Sequence, residues 1–541
     1  MKSLHLSFLV ILLFNLSADA QPNPEWESIF NGAGNKSDQP RAMILDAQNN
    51  IYIAGPSETK KGNTDIAVVK YNAGGVQQWV ATYEGTGNGI DYPNSLAVDA
   101  DGNVYVTGRS MNKLNYDCIT IKYDAAGIQI WEARYNGTEN GEDMGNDIKV
   151  DVGGNVYVTG YTNSPHTGSL LYGFAVLTLK YDEFGDMVWE SALNTSIPDG
   201  EYGREIGNSL VVGEHGVVYV TGQNDLGLVT LKLNNGGVEQ WRRTFPEGVN
   251  GQKILQDEGG NIFVTGWGAK TYKLNAIDGE IIWASSVEMT AATFWDMAMD
   301  GAGNVYVGGY GQPDNASTDF LTVKYNGADG IQQWLKTYNG SANVTDRVRS
   351  IAVDGIGNTY VTGYIQTKSG RSSILNYGTI KYTHDGDEEW VALYSGPDRK
   401  GGDPFFVAVD GAGDVVVTGT VSFKRSGSDF VTIKYKQGYS ANTHNTEIQQ
   451  EILKPSLFRL NTFPNPFNQI TTISYQLPVQ GNVELIVFDL FGREVKTLVN
   501  ETKLAGIYNI NFSSGNLPAG AYVCRFRMGD IVESRKMVIV R

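Results

Sequence analysis

A ten-residue stretch that recurs along most of the chain constrains the fold more than any other feature. Its clearest copy runs from Asp99 to Gly108 and reads Asp-Ala-Asp-Gly-Asn-Val-Tyr-Val-Thr-Gly. The other seven copies lie at 46–55, 151–160, 213–222, 257–266, 300–309, 354–363 and 410–419. A repeat of this spacing indicates an array of similar supersecondary units rather than a set of unrelated domains.

Each repeat predicts four short strands. In one copy a strand over 95–98 leads into the turn 99–103, and alternating β-branched and aromatic residues over 104–107 indicate the second strand. The third strand covers 117–123 and the fourth covers 128–135. Four antiparallel strands in about fifty residues, with no helical pattern between them, predict one blade of a β-propeller.

Counting the repeat signatures separately indicates that one strand is missing. The glycine that ends the second strand and the lysine of the third strand each occur eight times, whereas the fourth-strand tryptophan occurs seven times, from Trp79 to Trp390. A matching strand stands near the N-terminus, where Trp26 is followed by an aromatic residue and then by Asn-Gly. We therefore predict an all-β, eight-bladed β-propeller over 21–436, closed by this N-terminal strand, because closure leaves no unpaired sheet edge.

The repeated tryptophan has two interpretations. It could stack on a sugar, or it could be the wedge that packs one blade against the next. A residue that recurs at the same strand position in every blade is most simply a packing residue, so we favour the wedge.

The N-terminus indicates export. Residues 1–20 combine a basic residue, an apolar run over 4–16 and small residues at 18–20, which is the pattern of a secretory signal peptide. We expect the mature chain to begin near Gln21. After signal cleavage no transmembrane segment is expected, since no later apolar run approaches the roughly 20 residues needed to span a bilayer.

Charge and cysteine content exclude two classes of protein. The formal net charge is -17, and residues 458–541 hold an excess of Lys and Arg, so the acidic excess lies in the repeat region. An acidic body repels a phosphate backbone, so no nucleic-acid partner is expected. The only cysteines, Cys118 and Cys524, lie in different predicted domains, which argues against a disulfide framework. We expect a monomer.

The longer loops of the predicted propeller share one face. They connect second to third strands, or one blade to the next, and cover 84–94, 136–146, 161–173, 194–207, 364–377 and 395–404. Binding residues concentrate on variable loops held by a rigid scaffold, so this long-loop face is the predicted functional face. We expect it to be acidic, because it carries Asp91, Glu142, Asp143, Asp199, Glu201, Asp346, Asp398 and Asp403.

Four aromatic residues occupy one equivalent position on this face. Tyr161, Trp267, Tyr310 and Tyr364 each follow directly after the last glycine of the second strand. Aromatic rings with acidic neighbours suit a carbohydrate, a peptide or a cationic group, so we predict these four as ligand-binding residues. The alternative is that they only fill the bases of the loops.

Catalytic signatures are weak. The histidines of the predicted mature chain are His166, His215, His384 and His444, which stand in unrelated contexts without metal-ligand spacing. The sequence lacks a Gly-x-Ser-x-Gly nucleophile motif and a phosphate-binding glycine loop. We therefore predict no catalytic residue, metal or cofactor and favour a binding protein over an enzyme. A hydrolase that uses carboxylates of the long-loop face stays open as an alternative.

The repeat unit resembles a known family. The order Asp-x-x-Gly-Asn-Val-Tyr-Val-Thr-Gly, then Asp-x-x-Thr-x-Lys-Tyr, then Gly-x-x-x-Trp is similar to the bacterial extracellular β-propeller repeats known as SBBP repeats, over roughly 26–436. That family has no uniform activity, so the resemblance implies an extracellular propeller that binds a glycan, a polymer or a protein.

A second resemblance supports an enzymatic alternative. Residues 273–283, Lys-Leu-Asn-Ala-Ile-Asp-Gly-Glu-Ile-Ile-Trp, are similar to the tryptophan-docking repeat of quinoprotein propellers, which are also eight-bladed. This resemblance implies an alcohol or sugar dehydrogenase that uses pyrroloquinoline quinone. It is best in one blade, and the adjacent cysteine pair of many such alcohol dehydrogenases is absent.

The repeat ends before the C-terminus. Residues 437–457 are polar and predict a linker, and residues 458–541 predict a small C-terminal β-sandwich. The expected strands cover 471–476, 483–488, 494–498, 508–512, 521–527 and 532–540.

This tail resembles the C-terminal sorting domain of cargo for the type IX, or Por, secretion system. The resemblance depends on Phe463, Pro464, Asn465, Pro466, Gly492, Gly520, Tyr522 and Lys536, with the segments around them. It implies that the outer-membrane secretion machinery recognises the tail. The protein is therefore expected to be secreted, either extracellular or attached to the cell surface.

Overall fold

The computed structural model describes residues 22–437 and 460–540 with short gaps. The gaps are at 87–88, 139, 165–172, 195–203, 247–249, 314–316, 370–371, 424–425, 464, 466, 478–480, 490–492, 504–505, 516 and 530. The chain divides into two compact units, Met1–Gly438 and Tyr439–Arg541. The predicted signal peptide, residues 1–20, lies outside the described residues. A search of the described residues finds no helix that is long and apolar enough to cross a membrane.

The described part of the first unit is built from eight four-stranded antiparallel sheets, each resembling a propeller blade. Strand β1 (Pro24–Phe30) belongs to the last of them. Sheet I contains β2 (Ala42–Leu45), β3 (Ile51–Glu58), β4 (Thr64–Tyr71) and β5 (Gln77–Tyr83), and sheet II contains β6 (Asp91–Val98), β7 (Val104–Met111), β8 (Tyr116–Tyr123) and β9 (Gln129–Tyr135). Sheet III contains β10 (Asp143–Val150), β11 (Val156–Ser164), β12 (Gly173–Tyr181) and β13 (Met187–Leu193). Sheet IV contains β14 (Ile206–Val212), β15 (Val218–Asn224), β16 (Gly227–Leu233) and β17 (Glu239–Pro246), with a short 3-10 helix at Glu214–Gly216.

The next four sheets continue the same order. Sheet V contains β18 (Gly251–Gln256), β19 (Ile262–Gly266), β20 (Lys270–Leu274) and β21 (Ile281–Ser286), and sheet VI contains β22 (Thr290–Met299), β23 (Val305–Gln312), β24 (Asp319–Tyr325) and β25 (Gln332–Tyr338). Sheet VII contains β26 (Arg347–Val353), β27 (Thr359–Ser369), β28 (Ser372–Tyr382) and β29 (Glu388–Tyr394). Sheet VIII contains β30 (Gly402–Val409), β31 (Val415–Phe423) and β32 (Gly427–Tyr435), with β1 as its fourth strand. The first strand of each sheet contacts the first strand of the next, and β30 contacts β2.

The apolar core lies between neighbouring sheets. One cluster joins Ala54 and Val68 of sheet I to Val106 and Ile119 of sheet II, and similar clusters occupy the other interfaces. The middle strands are buried on both faces because a sheet covers each side. All seven residues of β24 are buried, for example. Burial on both faces explains why these strands carry large apolar residues at successive positions, as at 104–106.

The repeated aspartate organises the turn between the first two strands. Asp99 Oδ1 accepts the backbone N–H groups of Asp101 and Asn103 at 3.0 and 2.9 Å. Its Oδ2 accepts the Asn103 amide at 2.8 Å and the Tyr105 hydroxyl at 2.9 Å. Gly102 has a φ of 82°, which favours glycine. The decapeptide is therefore a self-contained turn whose aspartate also fixes the second strand.

The fourth-strand tryptophans pack between sheets, which confirms the wedge interpretation. The Trp79 ring of sheet I lies against the backbone of Gly127 in sheet II, and its Nε1 donates to the Ala125 carbonyl at 3.0 Å. The same ring-on-glycine contact joins Trp131 to Gly185, Trp189 to Gly237, Trp241 to Gly279, Trp283 to Gly330 and Trp334 to Gly386. The ring buries apolar area while its N–H is satisfied by the next sheet.

Strand β1 occupies the fourth-strand position of sheet VIII. It pairs antiparallel with β32, with Trp26 opposite Lys434 and a register shift before Pro24 opposite Tyr435. In sheet I, Trp79 lies opposite Lys70, with a register shift at the following tyrosine. The Trp26 ring also lies against Gly75 of sheet I, which is the ring-on-glycine contact of those six tryptophans, although its Nε1 has no hydrogen-bond partner in the described part of the chain.

The second unit contains two sheets. One has the order β33 (Leu460–Phe463), β34 (Ile470–Leu477) and β37 (Gly506–Ser513). The other has the order β36 (Glu494–Lys503), β35 (Gly481–Asp489), β38 (Gly520–Met528) and β39 (Ile531–Ile539). Both sheets contribute to one apolar core that includes Ile473, Phe512, Leu485 and Phe526. All six strands expected from the sequence are present, and β33 is an additional strand. Cys118 and Cys524 are buried and free in separate units.

Candidate functional site

One cavity is lined by residues from the first strands of all eight sheets. Its volume is about 520 Å³. Lining residues include Ile44 of β2, Ser95 of β6, Lys149 of β10, Ser209 of β14, Lys253 of β18, Asp296 of β22, Ser350 of β26 and Val407 of β30. We call it the central cavity, and we call its end beside Arg41 and Arg349, where the first strands begin, the rim. A concave site reached by every sheet can contact a ligand from several directions at once.

Asparagines link neighbouring sheets around part of this cavity. The Asn94 amide donates to the Gly145 carbonyl at 2.8 Å, and the Asn146 amide donates to the Gly207 carbonyl at 2.9 Å. The Asn208 amide continues the series to the Gly251 carbonyl at 2.8 Å. Each of these contacts uses one N–H of the side-chain amide, and together they hold the wall of the cavity in place.

Two carboxylates inside the cavity have matching surroundings. Asp147 accepts hydrogen bonds from Ser95 at 3.0 Å, Ser209 at 3.1 Å and the Leu210 N–H at 3.0 Å. Lys149 Nζ lies 2.7 Å from the same carboxylate. Asp296 in turn accepts from the Ser350 hydroxyl at 2.9 Å and the Ile351 N–H at 3.1 Å, and Lys253 Nζ lies 3.6 Å from it. Each carboxylate therefore ties its own sheet to the next.

The neighbouring opposite charges of the cavity stabilise the ionised forms of Asp147 and Lys253. Burial opposes the ionised form of Asp147, but Lys149, Lys253 and the Leu210 N–H outweigh it, so the pKa of Asp147 is lowered below its usual 3.8. Asp296 raises the pKa of the Lys253 ammonium, with Asp147 adding to the effect against an opposing contribution from burial. The interior of the cavity is thus ionised and internally paired at neutral pH.

Replacing Asp147 by Asn tests this arrangement. We expect the variant to be less stable than the parent by about 2 kcal/mol at neutral pH, because it loses charge-assisted hydrogen bonds. A lowered folded-state pKa gives stability that is present above pH 3.8 and is lost as the pH falls through the folded value. The difference in melting temperature between parent and variant should therefore narrow in acid. Asp385→Asn, at a side chain that is 84% exposed, is the control, and an equally pH-dependent difference there would contradict the assignment.

The four predicted aromatic residues have different environments. Tyr161 is buried against Phe174, with ring centroids 4.6 Å apart, and burial raises its pKa. Tyr310 and Tyr364 are half-buried at the rim. Trp267 is 42% exposed and meets the Trp295 ring edge to face at 6.2 Å. Trp267 is therefore the member of this set with a free ring surface.

Four arginines that the sequence did not identify lie beside aromatic rings, two of them beside Tyr310 and Tyr364. The guanidinium of Arg347 lies 4.4 Å from the Tyr310 ring centroid, and that of Arg349 lies 5.5 Å from the Tyr364 centroid. Arg41 donates to the Tyr92 hydroxyl, and its guanidinium lies 4.9 Å from the centroid of that ring.

Arg109 completes this set, since its guanidinium lies 5.8 Å from the Tyr92 centroid and 4.3 Å from the Tyr116 centroid. We call Arg41, Arg109, Arg347 and Arg349 the arginine arc. One signal was available in the sequence, because Arg109 follows Gly108 as Tyr161 follows Gly160.

The prediction of an exposed acidic face is wrong for three of its aspartates. Asp91, Asp143 and Asp346 are buried and accept the backbone N–H groups of Gly85, Gly137 and Gly340, at 2.6, 2.9 and 2.6 Å. These carboxylates close the loops between sheets, because a carboxylate satisfies loop N–H groups that would otherwise be buried without a partner.

The remaining acidic residues predicted for this face are not buried in this way or lie outside the described residues. Glu142 and Asp398 are exposed, and Asp403 lies 3.4 Å from Arg349. Asp199 and Glu201 lie outside the described residues. The expected long loop over 364–377 is also wrong, since β27 and β28 extend through most of it as one hairpin.

The described residues of the predicted sorting motif lie in or beside strands of the second unit. Asn465 donates to the Lys536 carbonyl at 2.6 Å and accepts the Val538 N–H at 2.8 Å. Tyr522 is buried and donates to the Pro518 carbonyl at 2.9 Å, and Gly520 begins β38 with a φ of 155°. The backbone of Phe463 ends β33. Pro464, Pro466 and Gly492 lie outside the described residues.

No group of three His, Cys, Asp or Glu side chains suited to a metal ion is found in the parts of the chain that the structure describes. The central cavity and its rim carry arginines, aromatic rings and hydrogen-bonding groups. Such groups bind and orient a ligand.

Two family models match the sequence. A secretion system C-terminal sorting domain matches residues 461–540, and a β-propeller repeat matches residues 78–113. No curated protein matches the chain. The first match covers nearly the whole described part of the second unit, and the second falls on β5 to β7 of the first unit.

Similar solved structures are distant in sequence. BamB from Moraxella catarrhalis shares 13% identity over 76% of this chain and 99% of its own, with a TM-score of 0.43. The quinohemoprotein alcohol dehydrogenase from Comamonas testosteroni shares 12% over 76% of each chain, with a TM-score of 0.44. Sqt1 from Saccharomyces cerevisiae shares 10% over 77% of this chain and 99% of its own, with a TM-score of 0.49. At these identities no activity is transferred from them to this chain.

Proposed function

We propose that this chain, a β-propeller repeat protein with a secretion system C-terminal sorting domain, acts outside the cell as a glycan-binding protein. The sorting domain indicates secretion through the type IX system with attachment to the cell surface. The partner of the second unit is accordingly the outer-membrane secretion machinery. The ligand is bound by the first unit, at the rim of the central cavity.

We infer that the eight sheets close into an eight-bladed, circular propeller over 21–436. Contacts between consecutive first strands, including β30 with β2, support closure. The Trp26 contact with Gly75 supports it independently, because it joins sheet VIII to sheet I as Trp79 joins sheet I to sheet II. The remaining boundaries in this proposal are a signal peptide at 1–20, a linker at 437–457 and a C-terminal β-sandwich at 458–541. The protein is proposed to act as a monomer.

The observation that supports glycan binding best is the exposed Trp267 ring beside the central cavity. Trp267 bridges to Thr293 of β22, and its neighbour Trp295 lines the cavity. A flat aromatic face binds the apolar face of a sugar ring, while amides and charged groups of the cavity serve its hydroxyl groups. An exposed tryptophan at a cavity edge fits this role better than the buried Tyr161.

Substituting Trp267 by Ala is expected to weaken polysaccharide binding about tenfold, since ring stacking and its buried area are lost. Binding is measured by isothermal titration of the full mature chain with a panel of soluble neutral and acidic polysaccharides. Phe184→Ala is the control, because Phe184 is 72% exposed in the turn between β12 and β13 at the opposite end of sheet III. The proposal is contradicted if no polysaccharide binds, or if both substitutions have the same effect.

The quinoprotein alternative loses its main support. Trp283 ends the stretch that resembles the quinoprotein repeat, and it packs on Gly330 as its counterparts pack in other sheets. The similarity of that stretch is therefore explained by the packing of one sheet on the next, which is common to the sheets of this unit. The hydrolase alternative is weakened as well, because Asp91, Asp143 and Asp346 serve as buried loop closures.

A further inference from the structure

We propose that the glycan is an acidic polysaccharide, whose carboxylate or sulfate groups are bound by the arginine arc. This inference rests on the proposed glycan-binding function and specifies its ligand. It depends on the position of the four arginines, on hydrogen-bond donors that they leave unused, and on where the negative charge of the first unit lies.

The four arginines form two pairs on either side of sheet VIII in the proposed ring. Arg347 and Arg349 belong to sheet VII, Arg41 precedes the first strand of sheet I, and Arg109 lies on sheet II. Phe405 of sheet VIII lies between them, 5.6 Å from the Arg349 guanidinium. Arg41 and Arg349 line the same central cavity. Arg109 shares the Tyr92 ring with Arg41, and Arg347 stands two residues before Arg349, so each rim arginine has a second arginine nearby.

These arginines have donors without partners. The Nε atoms of Arg41, Arg109, Arg347 and Arg349 are buried and donate no hydrogen bond within the described part of the chain. Among described residues, the side chains of Arg109 and Arg347 also form no ion pair with a carboxylate. Guanidinium groups carry five donors in a planar fork that matches the oxygens of a carboxylate or sulfate. The buried Nε atoms are out of reach of a ligand, so an anion would be bound by the terminal Nη groups of these half-buried side chains.

The acidic net charge of the chain does not oppose this site. The turn aspartates Asp46 and Asp354 each follow an arc arginine by five residues, at the other end of β2 and β26. Five residues of extended strand span roughly 17 Å, which exceeds the Debye length of about 8 Å at physiological ionic strength. Of the long-loop acids, Asp91, Asp143 and Asp346 are buried and accept loop N–H groups, whereas Glu142 and Asp398 are exposed. Within the arc, Asp403 is the carboxylate that pairs with Arg349, at 3.4 Å.

A polysaccharide explains the neighbouring aromatic residues as well as the arginines. Trp267 and Trp295 belong to sheets V and VI, and Tyr310 of sheet VI touches Arg347 at the start of the arc. A chain of charged sugars can stack one ring on Trp267 and place anionic groups of the next rings along the arginines. Single-stranded DNA is the other polymer that combines stacking rings with negative charge, and its binding is one of the outcomes of the test.

The test compares the full mature chain with three single variants. The probes are polygalacturonate, dextran sulfate and neutral dextran, with single-stranded DNA as a second polyanion. Arg109→Gln and Arg347→Gln are each expected to weaken binding of the acidic polysaccharide about tenfold, since each removes a charged hydrogen-bond donor. Arg243→Gln is the matched control, because Arg243 lies on the outer strand β17 and pairs with Glu280 at 2.6 Å. Binding should also weaken as salt is raised.

The outcomes separate this inference from the proposed function. Arginine-dependent binding of polygalacturonate or of dextran sulfate supports the inference and identifies the anion as carboxylate or sulfate. Binding of neutral dextran, sensitive to Trp267→Ala but unchanged by the arginine variants, overturns the inference and leaves the proposed function standing. Tighter binding of DNA than of both acidic polysaccharides overturns the choice of a polysaccharide. Thermal unfolding of each variant checks that the fold is retained.

Discussion

Deleting residues 21–32 is expected to lower the free energy of unfolding by about 5 kcal/mol or more, because it removes β1 with its aromatic contacts and strand hydrogen bonds. Phe30 is buried and lies 5.1 Å from the Phe430 ring, and Trp26 lies on Gly75 of sheet I. Removal leaves β32 as an unpaired edge, which also favours association between chains. Chemical denaturation measures the stability, and size-exclusion chromatography measures the association.

Two further proteins make this deletion informative. Deleting only residues 21–23 preserves β1 (Pro24–Phe30) and should leave the stability unchanged. A circular permutant that joins β32 to β1 through a turn of the kind between β8 and β9 should recover most of the lost stability. Both strands already have the antiparallel register that such a turn requires. Equal stability of the parent and the 21–32 deletion would show that β1 is dispensable and that the proposed closure is wrong.

Much of the first unit could be predicted from the sequence because its repeat has a local physical cause. The turn aspartate, the second-strand glycine and the fourth-strand tryptophan each make a contact that most sheets share, so their spacing predicts the strands. The absence of an eighth fourth-strand tryptophan was sufficient to find Trp26 as the candidate partner of β32. The pairing of Trp26 with Lys434 agrees with that counting argument.

The binding site was harder to predict, because it consists of residues that differ between sheets. Arg41 directly precedes β2, and Arg349 is the third residue of β26. Other sheets have a different residue at this position, such as Asn94 or Trp295, so the repeat does not reveal the arginines. The loop acids were expected to be exposed because they are charged. Asp143 is instead buried, since it accepts the Gly137 N–H within its own loop. That contact depends on how a variable loop folds, and spacing alone does not reveal it.

The second-strand glycine has a steric reason that makes its substitution costly. A Cβ added at Gly108 would stand 1.9 Å from the Tyr92 carbonyl oxygen. The register shift between Pro93 and Ser95 brings this part of β6 close to β7. The same approach occurs at Gly160, 1.8 Å from the Met144 carbonyl, and at Gly363, 1.9 Å from the Arg347 carbonyl. The repeat therefore retains glycine here because a backbone atom cannot rotate away as a side chain can.

Replacing Gly108 by Ala is accordingly expected to destabilise the protein by about 3 kcal/mol or more, because β6 and β7 must separate to make room for the methyl group. This value is at the upper end of the destabilisation that overpacking substitutions usually cause. Gly411→Ala is the matched control, since its nearest neighbour is 3.7 Å away, and it should change stability by less than about 0.5 kcal/mol. Denaturant titration of both variants measures the difference. If Gly108→Ala were as mild as Gly411→Ala, β6 and β7 could separate at little cost, and the repeated glycine would need another explanation.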